Sequence, residues 1–579
     1  MPRTIYNRAV EAMPRLLHTR RELLQAAGWA GTASDLGCGR ASRGTLAGGA
    51  AAPELVLHNA RVFTVNESQP RAEAFAVNGS RFVAVGRNED LRPLSGAGTK
   101  LIDAEGMTVT PGFIDAHTHP SGAGVDELLH VNVDLRSVGA IQTALYERVV
   151  STPPGEWVVG FKYDDTKLDE GQPINRRDLD AIAPSHPVEV RHRGGHTAVY
   201  NSAAFRLAGI TAQTPDPRGG KVYRQAGELP GLVAEHARAP LRRLIPSGST
   251  RQQRQAGVKL ISELMTAAGL TSVHQTGGGT QALIAYQDAY AARELLFRLY
   301  LFPSGGSGLF RGLKQAGVST GFGDDRLRIG AVKYVADGSA SERAMRMSTP
   351  FQGRPDDYGI LTMSQEEIHE AVEDADRHGF QIGVHANGDV TIEMVLDAYE
   401  RVQQRPRHSA PRNRIEHCLL VNPALLQRIK DLGVIPTPFC TYVHYHGNKW
   451  VNYGEGKMRS MFAHRWFLDY EIPVAGASDY TPGPYEPMMA IQSMVTRKDF
   501  QGREWGPNQR ISVDEALQVC TIDGAYASFE EGQKGSIEAD KLADFVVLAE
   551  DPREVEPDRI KEIEVVRTFV DGEPVHSKA

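Results

Sequence analysis

Cysteine is scarce and scattered in this sequence of 579 residues: Cys38, Cys418, Cys440 and Cys520 form no CxxC pair. Neither a disulfide framework nor a thiolate zinc cluster is therefore expected. Basic residues are not in excess either, since 64 Lys and Arg stand against 71 Asp and Glu. The formal net charge of −7, without long Lys/Arg runs, argues against nucleic acid as a partner.

Long apolar runs and several catalytic signatures are also missing. No stretch approaches the roughly 20 apolar residues that cross a bilayer as a helix, so we expect no integral membrane segment. The absence of HExxH, GxSxG and GxxxxGK-S/T argues against zincin proteases, serine hydrolases with a nucleophile elbow and P-loop nucleotide hydrolases. The chain is long enough for one large catalytic domain and a smaller one.

The N-terminal segment, residues 1–52, stands apart from the predicted fold. It contains Thr19-Arg20-Arg21-Glu22-Leu23-Leu24 before a short Ala/Gly-rich apolar stretch, a pattern similar to a twin-arginine export signal. Asp35 ends the apolar stretch early, so an amphipathic or disordered extension is the alternative. If the export machinery recognises this segment, we expect a periplasmic or other extracytoplasmic protein. Otherwise we expect the protein in the cytoplasm.

Short β-rich runs occupy both ends of the remaining chain. Asn78-Gly79 and Asp571-Gly572 each separate two such runs, and both dipeptides are strong hairpin signals. We therefore predict that residues 53–112 and 520–579 together build one small composite β-sandwich.

The middle of the chain, residues 113–519, alternates apolar strands with helix-period segments. Near-continuous apolar strands separated by helices are typical of an α/β fold with a parallel sheet, here predicted as a (β/α)₈ TIM-like barrel. The candidates outnumber eight, so some belong to insertions; they are GFIDAHTH, EWVVGFKY, PVEVRHRG, LTSVHQ, LLFRLYLF, LRIGAVKYV, FQIGVHA, RNRIEHC, GVIPTPF and IPVAGASD.

Histidine, lysine and aspartate residues recur where these strands end. Because the carboxyl ends of barrel strands face one rim, we expect these side chains to converge there: His117, His119, Lys333, His385, His417 and Asp479. Residues two apart on a strand point the same way, so both rings of His117-x-His119 can reach one ion. Imidazole and carboxylate ligands suit Zn²⁺, with iron, manganese or nickel as alternatives.

With these motifs the sequence resembles the amidohydrolase superfamily, and within it the YtcJ-like branch that includes N-substituted formamide deformylases. The resemblance runs from about Pro53 to the C-terminus. Its marks, in order, are PGFIDAHTHP, GGHTAVYNSAAF, VKYVADGS, HANGD, IEHC, SDYTP and GSIEADKLADFVVL.

The resemblance implies a centre of two divalent metal ions, with His117, His119 and Asp479 at the more buried ion, His385 and His417 at the second, and Lys333 between them. Lys333 would carry carbon dioxide as a carbamate, because a free ammonium cannot ligate a cation whereas a carbamate offers two oxygens.

The resemblance also implies the chemistry. A hydroxide shared by the ions attacks a carbonyl carbon, and Asp479 passes the proton of the water to the leaving nitrogen. His196, in GGHTAVYNS, could donate to the developing oxyanion, with a capping or core role as the alternative.

Two further groups of residues stay open. His274 also ends a predicted strand, but Gln275 stands where the family is expected to have an acid, and a structural role is favoured. An aromatic and histidine cluster after GVIPTPFC is a candidate substrate pocket, with plain packing as the alternative; it comprises Tyr442, His444, His446 and Trp450.

We therefore predict hydrolysis of a C–N bond in a small molecule: an amide, an N-substituted formamide or a cyclic amide. A non-hydrolytic decarboxylase or isomerase on the same fold is one alternative, and a catalytically silent exported binding protein is another. The proton shuttle Asp479 argues against silence, because a binding protein has no need for one. A homodimer stays open.

Overall fold

A computed structural model describes residues 52–195, 197–217, 220–246, 248–404 and 411–578. The export-signal prediction and the predicted oxyanion donor His196 both lie outside these residues. In the part of the chain so described, none of the helices combines the length and apolar character that a bilayer span requires.

The strands of the described chain are β1 (Leu55–His58), β2 (Arg61–Phe63), β3 (Arg71–Ala72), β4 (Ala74–Asn78), β5 (Arg81–Gly86), β6 (Lys100–Asp103), β7 (Thr108–Pro111), β8 (Phe113–Thr118), β9 (Val131–Asn132), β10 (Val158–Tyr163), β11 (Val188–His192), β12 (Thr197–Tyr200), β13 (Gly220–Val222), β14 (Leu232–Glu235), β15 (Leu270–Gly278), β16 (Arg298–Pro303), β17 (Leu327–Ile329), β18 (Val332–Val335), β19 (Ile382–Ala386), β20 (Arg414–His417), β21 (Ile435–Thr437), β22 (Phe545–Leu548), β23 (Val565–Val570) and β24 (Glu573–Ser577).

The α-helices are α1 (Asn88–Leu91), α2 (Pro120–Leu129), α3 (Val138–Ser151), α4 (Arg176–Ile182), α5 (Ser202–Ala208), α6 (Ala239–Arg242), α7 (Arg251–Ala267), α8 (Thr280–Ala291), α9 (Gly308–Gln315), α10 (Gln365–Arg377), α11 (Asp389–Gln403), α12 (Pro423–Asp431), α13 (Tyr442–Tyr445), α14 (Gly454–Met458), α15 (His464–Asp469), α16 (Pro487–Thr496), α17 (Val513–Val519) and α18 (Ile522–Tyr526).

Strands from the two ends of the chain share one sheet, in the order β24-β23-β22-β7-β2-β3. Strand β22 pairs antiparallel with β7, and a second sheet, β5-β4-β1-β6, lies nearby. Phe75 of β4 packs edge-on against Phe545 of β22, with ring centroids 4.8 Å apart. A common apolar core thus joins residues that are far apart in sequence.

Both predicted hairpins are confirmed. Strands β4 and β5 pair around Asn78-Gly79, and β23 and β24 pair around Asp571-Gly572. Asp571 and Gly572 have φ of 58° and 75°, the positive pair that a tight type I′ turn requires.

The middle of the chain contains two runs of parallel strands, β17-β16-β15-β8 and β18-β19-β20-β21. Ser304, just after β16, pairs in parallel with Lys333 of β18. The described segment 474–478 forms no regular strand, yet Ala477 bridges to Phe439 beyond β21 and Gly476 accepts a hydrogen bond from Ala116 N of β8. This segment therefore lies between β21 and β8.

Helix signals in the sequence explain how the intervening elements begin. The Ser364 side chain caps α10 by accepting a hydrogen bond from Glu367 N. In turn, the Glu367 carboxylate accepts a hydrogen bond from Ser364 N. Asn422 caps α12 by accepting from Leu425 N, without a reciprocal side-chain bond. The segments SQEEIHEAVEDADRHG and NPALLQRIKDLG, which contain these two helices, are among the helix-period segments that alternate with the strands in the sequence.

Two of the candidate strands belong elsewhere. EWVVGFKY and PVEVRHRG form β10 and β11 of a separate sheet, ordered β13-β14-β12-β11-β10-β9. Arg193, just after β11, donates to the carbonyl oxygens of Thr481 and Pro482, at 3.2 and 2.7 Å. This inserted sheet is thereby fastened to the loop that follows Asp479.

Candidate metal centre

The His-x-His pair lies at the carboxyl end of β8. His117 is the penultimate residue of the strand and is buried, whereas His119 lies just beyond it, at the start of α2. The two ring centroids are 5.4 Å apart. The pair therefore presents one buried and one half-exposed imidazole to the same space.

His417 and Asp479 come to this pair from other strand ends. One ligand atom each of His117, His417 and Asp479 lies within 4.8 Å of the others. Asp479 Oδ1 is 3.1 Å from His119 Nε2 and 3.5 Å from His117 Nε2. Side chains more than 300 residues apart thus face a common point.

Lys333 and His385 complete the predicted set. Lys333 Nζ lies 3.4 Å from His117 Nε2 in a buried position, and burial lowers the pKa of this lysine to about 8. The His385 ring centroid is 4.6 Å from that of His417, while His385 Nε2 lies near Asn387 Nδ2 and Asp337 Oδ1, at 2.9 and 3.3 Å. The structure brings the predicted metal ligands together.

The electrostatics of this cluster suit a cation. Burial, together with Lys333 and the neighbouring histidines, lowers the pKa of His117 and His417 well below the usual value. Both rings are therefore neutral near pH 7, the form that ligates metals. His417 Nδ1 is buried and has no hydrogen-bond partner among the described residues. A buried imidazole without a partner at one nitrogen, grouped with a carboxylate and another neutral imidazole, fits a divalent metal ion.

Glu416 is a functional residue that the sequence interpretation missed. Its Oε2 lies 2.5 Å from His117 Nδ1 and accepts a hydrogen bond from Thr437 Oγ1 at 2.8 Å. Arg414 pairs with the same carboxylate at 2.8 Å and contacts His274 Nδ1 at 3.0 Å. Residues 414 and 416 are two apart on β20, and this alternation is the signal that could have found them.

Comparison with known proteins decides the family. Residues 100–576 match the amidohydrolase family. The chain belongs to this family. An N-substituted formamide deformylase from Arthrobacter pascens is 30% identical over 90% of this chain and 97% of its own length. YtcJ from Bacillus subtilis (strain 168) is 28% identical over 90% of this chain and 99% of its own length.

A solved structure is also similar to this amidohydrolase. An uncharacterized metal-dependent hydrolase from Pyrococcus furiosus superposes with a TM-score of 0.69 at 26% identity, covering 86% of this chain and 100% of that one. The family recognised from the sequence motifs is confirmed. The protein is an enzyme that acts on carbon–nitrogen bonds other than peptide bonds.

The aromatic and histidine cluster of this amidohydrolase divides among three environments. Tyr442 contacts Asp479, with its hydroxyl 3.0 Å from Oδ2. His444 Nδ1 and His446 Nε2 each lie 3.0 Å from a backbone carbonyl oxygen, of Lys498 and Pro482 respectively. Trp450 is fully buried among apolar side chains. Within this cluster, as far as the chain is described, Tyr442 is the residue that hydrogen-bonds to a predicted metal ligand.

Backbone strain also marks this centre. His417 and Asp479 have φ of 73° and 52°, in the left-handed region that residues other than glycine rarely adopt. The Asp479 backbone is held there by its N–H, which donates to the His117 carbonyl oxygen at 2.8 Å. Such strain, of order 1–3 kcal/mol per residue, clusters at functional sites in proteins.

Proposed function

We propose that this amidohydrolase is metal-dependent and hydrolyses an amide-type C–N bond in a small molecule. The observation that carries the proposal is the convergence of His117, His417 and Asp479 in a buried space. The relative from Arthrobacter pascens is named for N-substituted formamide, which makes that class the first to test. N-acyl amines and lactams follow because they present the same carbonyl–nitrogen bond.

The proposal includes the architecture that positions the site. β17 and β18 both lie in the candidate strand LRIGAVKYV and count as one barrel strand. With that strand counted once, the two parallel runs and the segment 474–478 supply the eight strands of one closed (β/α)₈ barrel, and the strands at both chain ends form the composite β-sandwich. The bridges between Ser304 and Lys333, and between Phe439 and Ala477, support closure. The similarity to the Pyrococcus furiosus structure supports the same fold.

The ligands would be shared between two ions. His117, His119 and Asp479 would hold one ion, His385 and His417 would hold the other, and a carbamate on Lys333 would lie between them. Divalent ions of this kind, most simply Zn²⁺, lower the pKa of a water toward neutrality and polarise a carbonyl.

The protein's own residues then move the protons. Asp479 accepts the proton that the attacking water loses and returns it to the leaving nitrogen, so that the amine departs neutral. Glu416 holds the His117 ring so that its Nε2 faces the centre. His196 would donate a hydrogen bond to the carbonyl oxygen as negative charge develops on it.

Substrate turnover tests the proposal. Chelator-treated full-length protein, reloaded with Zn²⁺ or Mn²⁺, is incubated with panels of N-substituted formamides, N-acyl amines and lactams, and the released amine is measured. We expect metal-dependent release in at least one panel. Release that persists without metal would refute the metal dependence. Protein with its metal sites filled that releases no amine from any panel would refute the proposed reaction. The result would favour the non-hydrolytic alternatives.

A further inference from the structure

The two oxygens of the Asp479 carboxylate face different partners. Oδ1 lies toward the histidine pair, 3.1 Å from His119 Nε2 and 3.5 Å from His117 Nε2. Oδ2 instead accepts a hydrogen bond from the Tyr442 hydroxyl at 3.0 Å. A carboxylate bonded at one oxygen loses rotational freedom, so this bond fixes the plane of the carboxylate with its other oxygen toward the histidines.

The position of the Tyr442 hydroxyl is itself set by stacking. The Tyr442 ring lies 3.8 Å from the ring of Phe439 at an interplanar angle of 8°, and Phe439 stacks in turn on His417 at 4.1 Å and 10°. Tyr442 is only 2% exposed. The column of these three rings therefore links the tyrosine that hydrogen-bonds to Asp479 with the ring of His417.

The loop after Asp479 closes onto the same ring. A Cβ placed on Gly483 would lie 2.6 Å from Cε1 of Tyr442 and 2.2 Å from the Ser478 carbonyl oxygen. Glycine is therefore needed for this close approach. The tyrosine ring is held between this loop and Phe439, so its hydroxyl has little freedom to leave Asp479.

We propose that Tyr442 is a positioning residue for Asp479, which it holds with Oδ1 toward the histidines and ready to accept and return a proton. The inference rests on the proposed function, in which Asp479 moves the proton. Tyr442 acts through Asp479 and not on the substrate, and it keeps its own proton throughout. Loss of its hydroxyl should therefore slow turnover without weakening substrate binding.

The test compares two tyrosines on the same short helix. Tyr442→Phe removes the hydroxyl and keeps the stacked ring. Tyr445→Phe is the matched control, because Tyr445 is also buried and hydrogen-bonds to a carboxylate, that of Asp134. We expect kcat of Tyr442→Phe to fall about 10- to 100-fold, the effect of losing a hydrogen bond to a charged group. KM, metal content and the thermal unfolding midpoint should match those of Tyr445→Phe.

A double-mutant cycle with Asp479→Asn separates positioning from general stabilisation. If Tyr442 acts through Asp479, Tyr442→Phe should cause little further loss in the Asp479→Asn background. An equal loss in both backgrounds would overturn the proposal, as would an unchanged kcat of the single variant. A loss of kcat accompanied by loss of metal or a lowered midpoint would assign Tyr442 a structural role instead.

A crystal structure of Tyr442→Phe supplies a readout independent of activity. We expect the Asp479 side chain in more than one rotamer, or turned so that neither carboxylate oxygen faces the histidine pair. A single wild-type orientation would overturn the proposal even if no substrate is found. Conversely, a wild-type protein that binds metal but turns over no amide refutes the proposed function while leaving this structural comparison decisive for Tyr442.

Discussion

Oε2 of Glu416 lies 2.5 Å from Nδ1 of His117, and the two side chains are at most 1% exposed. With Nδ1–H donating a hydrogen bond to this carboxylate, the Nε2 lone pair is free and lies toward Lys333 and Asp479. Carboxylates behind metal-binding imidazoles fix both ring orientation and tautomer. The pair therefore prepares His117 for a metal ion.

The first prediction concerns this pair. Glu416→Gln should weaken metal affinity by about 10- to 100-fold, because the amide can no longer accept strongly from Nδ1 and can present its own donor instead. Competition with a coloured chelator measures the affinity. Glu400→Gln is the matched control, since Glu400 is exposed on α11 and pairs with Arg428. Equal affinities for the two variants would contradict the orienting role.

Turnover should require Lys333, because we propose that its carbamate takes part in holding the metal ions. Lys333→Ala should lose nearly all turnover, because the oxygens of the carbamate are then missing from the centre. Small carboxylates such as acetate should restore part of the activity by supplying two oxygens to the vacated space. Mass spectrometry under native conditions and a crystal structure test the modification directly. An unmodified lysine turned away from fully occupied metal sites would refute it.

Asp479 should matter more for turnover than for metal binding. Asparagine keeps the shape and one neutral oxygen ligand but cannot hold the proton. Asp479→Asn should therefore lower kcat by roughly 10²–10⁴, the usual contribution of general acid–base catalysis. Metal content should fall far less than in His117→Ala, since the histidine ligands remain. Near-wild-type kcat with metal bound would mean that another residue is the base.

A buried ion pair should control acid stability. Arg298 of β16 binds Asp544 through two contacts of 2.6 and 2.8 Å and so ties the middle of the chain to the sheet built from its ends. Burial alone raises the pKa of Asp544, but the charge and hydrogen bonds of Arg298 outweigh burial and hold this pKa below its usual value. The pair stabilises the folded protein fully at pH values above the pKa of Asp544 in the unfolded chain, about 4. This stabilisation is lost as the pH falls through the pKa of Asp544 in the folded protein.

Urea unfolding of Asp544→Asn tests this pair. At pH 7 the variant should lose about 3 kcal/mol of unfolding free energy, because the Arg298 charge stays buried and loses the carboxylate of Asp544, keeping that of Asp571. Its free energy should also fall less than that of the wild type as pH is lowered below about 4. Asp558→Asn is the control, as its pairing with Lys498 is exposed. Identical pH profiles for wild type and Asp544→Asn would refute the assignment.

Periodicity was enough to find the elements that hold the site. The strands carrying His117, Lys333, His385 and His417 were predicted from apolar runs. The three histidines lie at or next to the carboxyl ends of their strands, whereas Lys333 is the second residue of β18, two positions before its end. The segment before Asp479 was predicted as a strand but is irregular: a single bridge joins Ala477 to Phe439, and a backbone hydrogen bond joins Gly476 to Ala116 of β8. Left-handed backbone at Asp479 cannot be predicted from residue type alone, since tertiary hydrogen bonds impose it.

Side-chain contacts between distant parts of the chain could not be predicted from the sequence. Glu416 and His117 are 299 positions apart, and pattern reasoning on one strand does not show which side chain of another it meets. For the same reason, the sequence groups Tyr442, His444, His446 and Trp450 together, whereas the structure gives them different contacts. Tyr442 reaches Asp479, while Trp450 packs against Phe462, with ring centroids 5.0 Å apart.

Metal content tests the central claim most directly. Elemental measurement on purified protein, before and after reloading, should find up to two divalent ions per chain. His417→Ala should lose bound metal and turnover together, whereas His378→Ala, a partly exposed histidine that contacts the Asp374 carbonyl oxygen, should keep both. Wild-type protein that hydrolyses an amide while free of metal, or His417→Ala that retains full metal content and full turnover, would contradict the account.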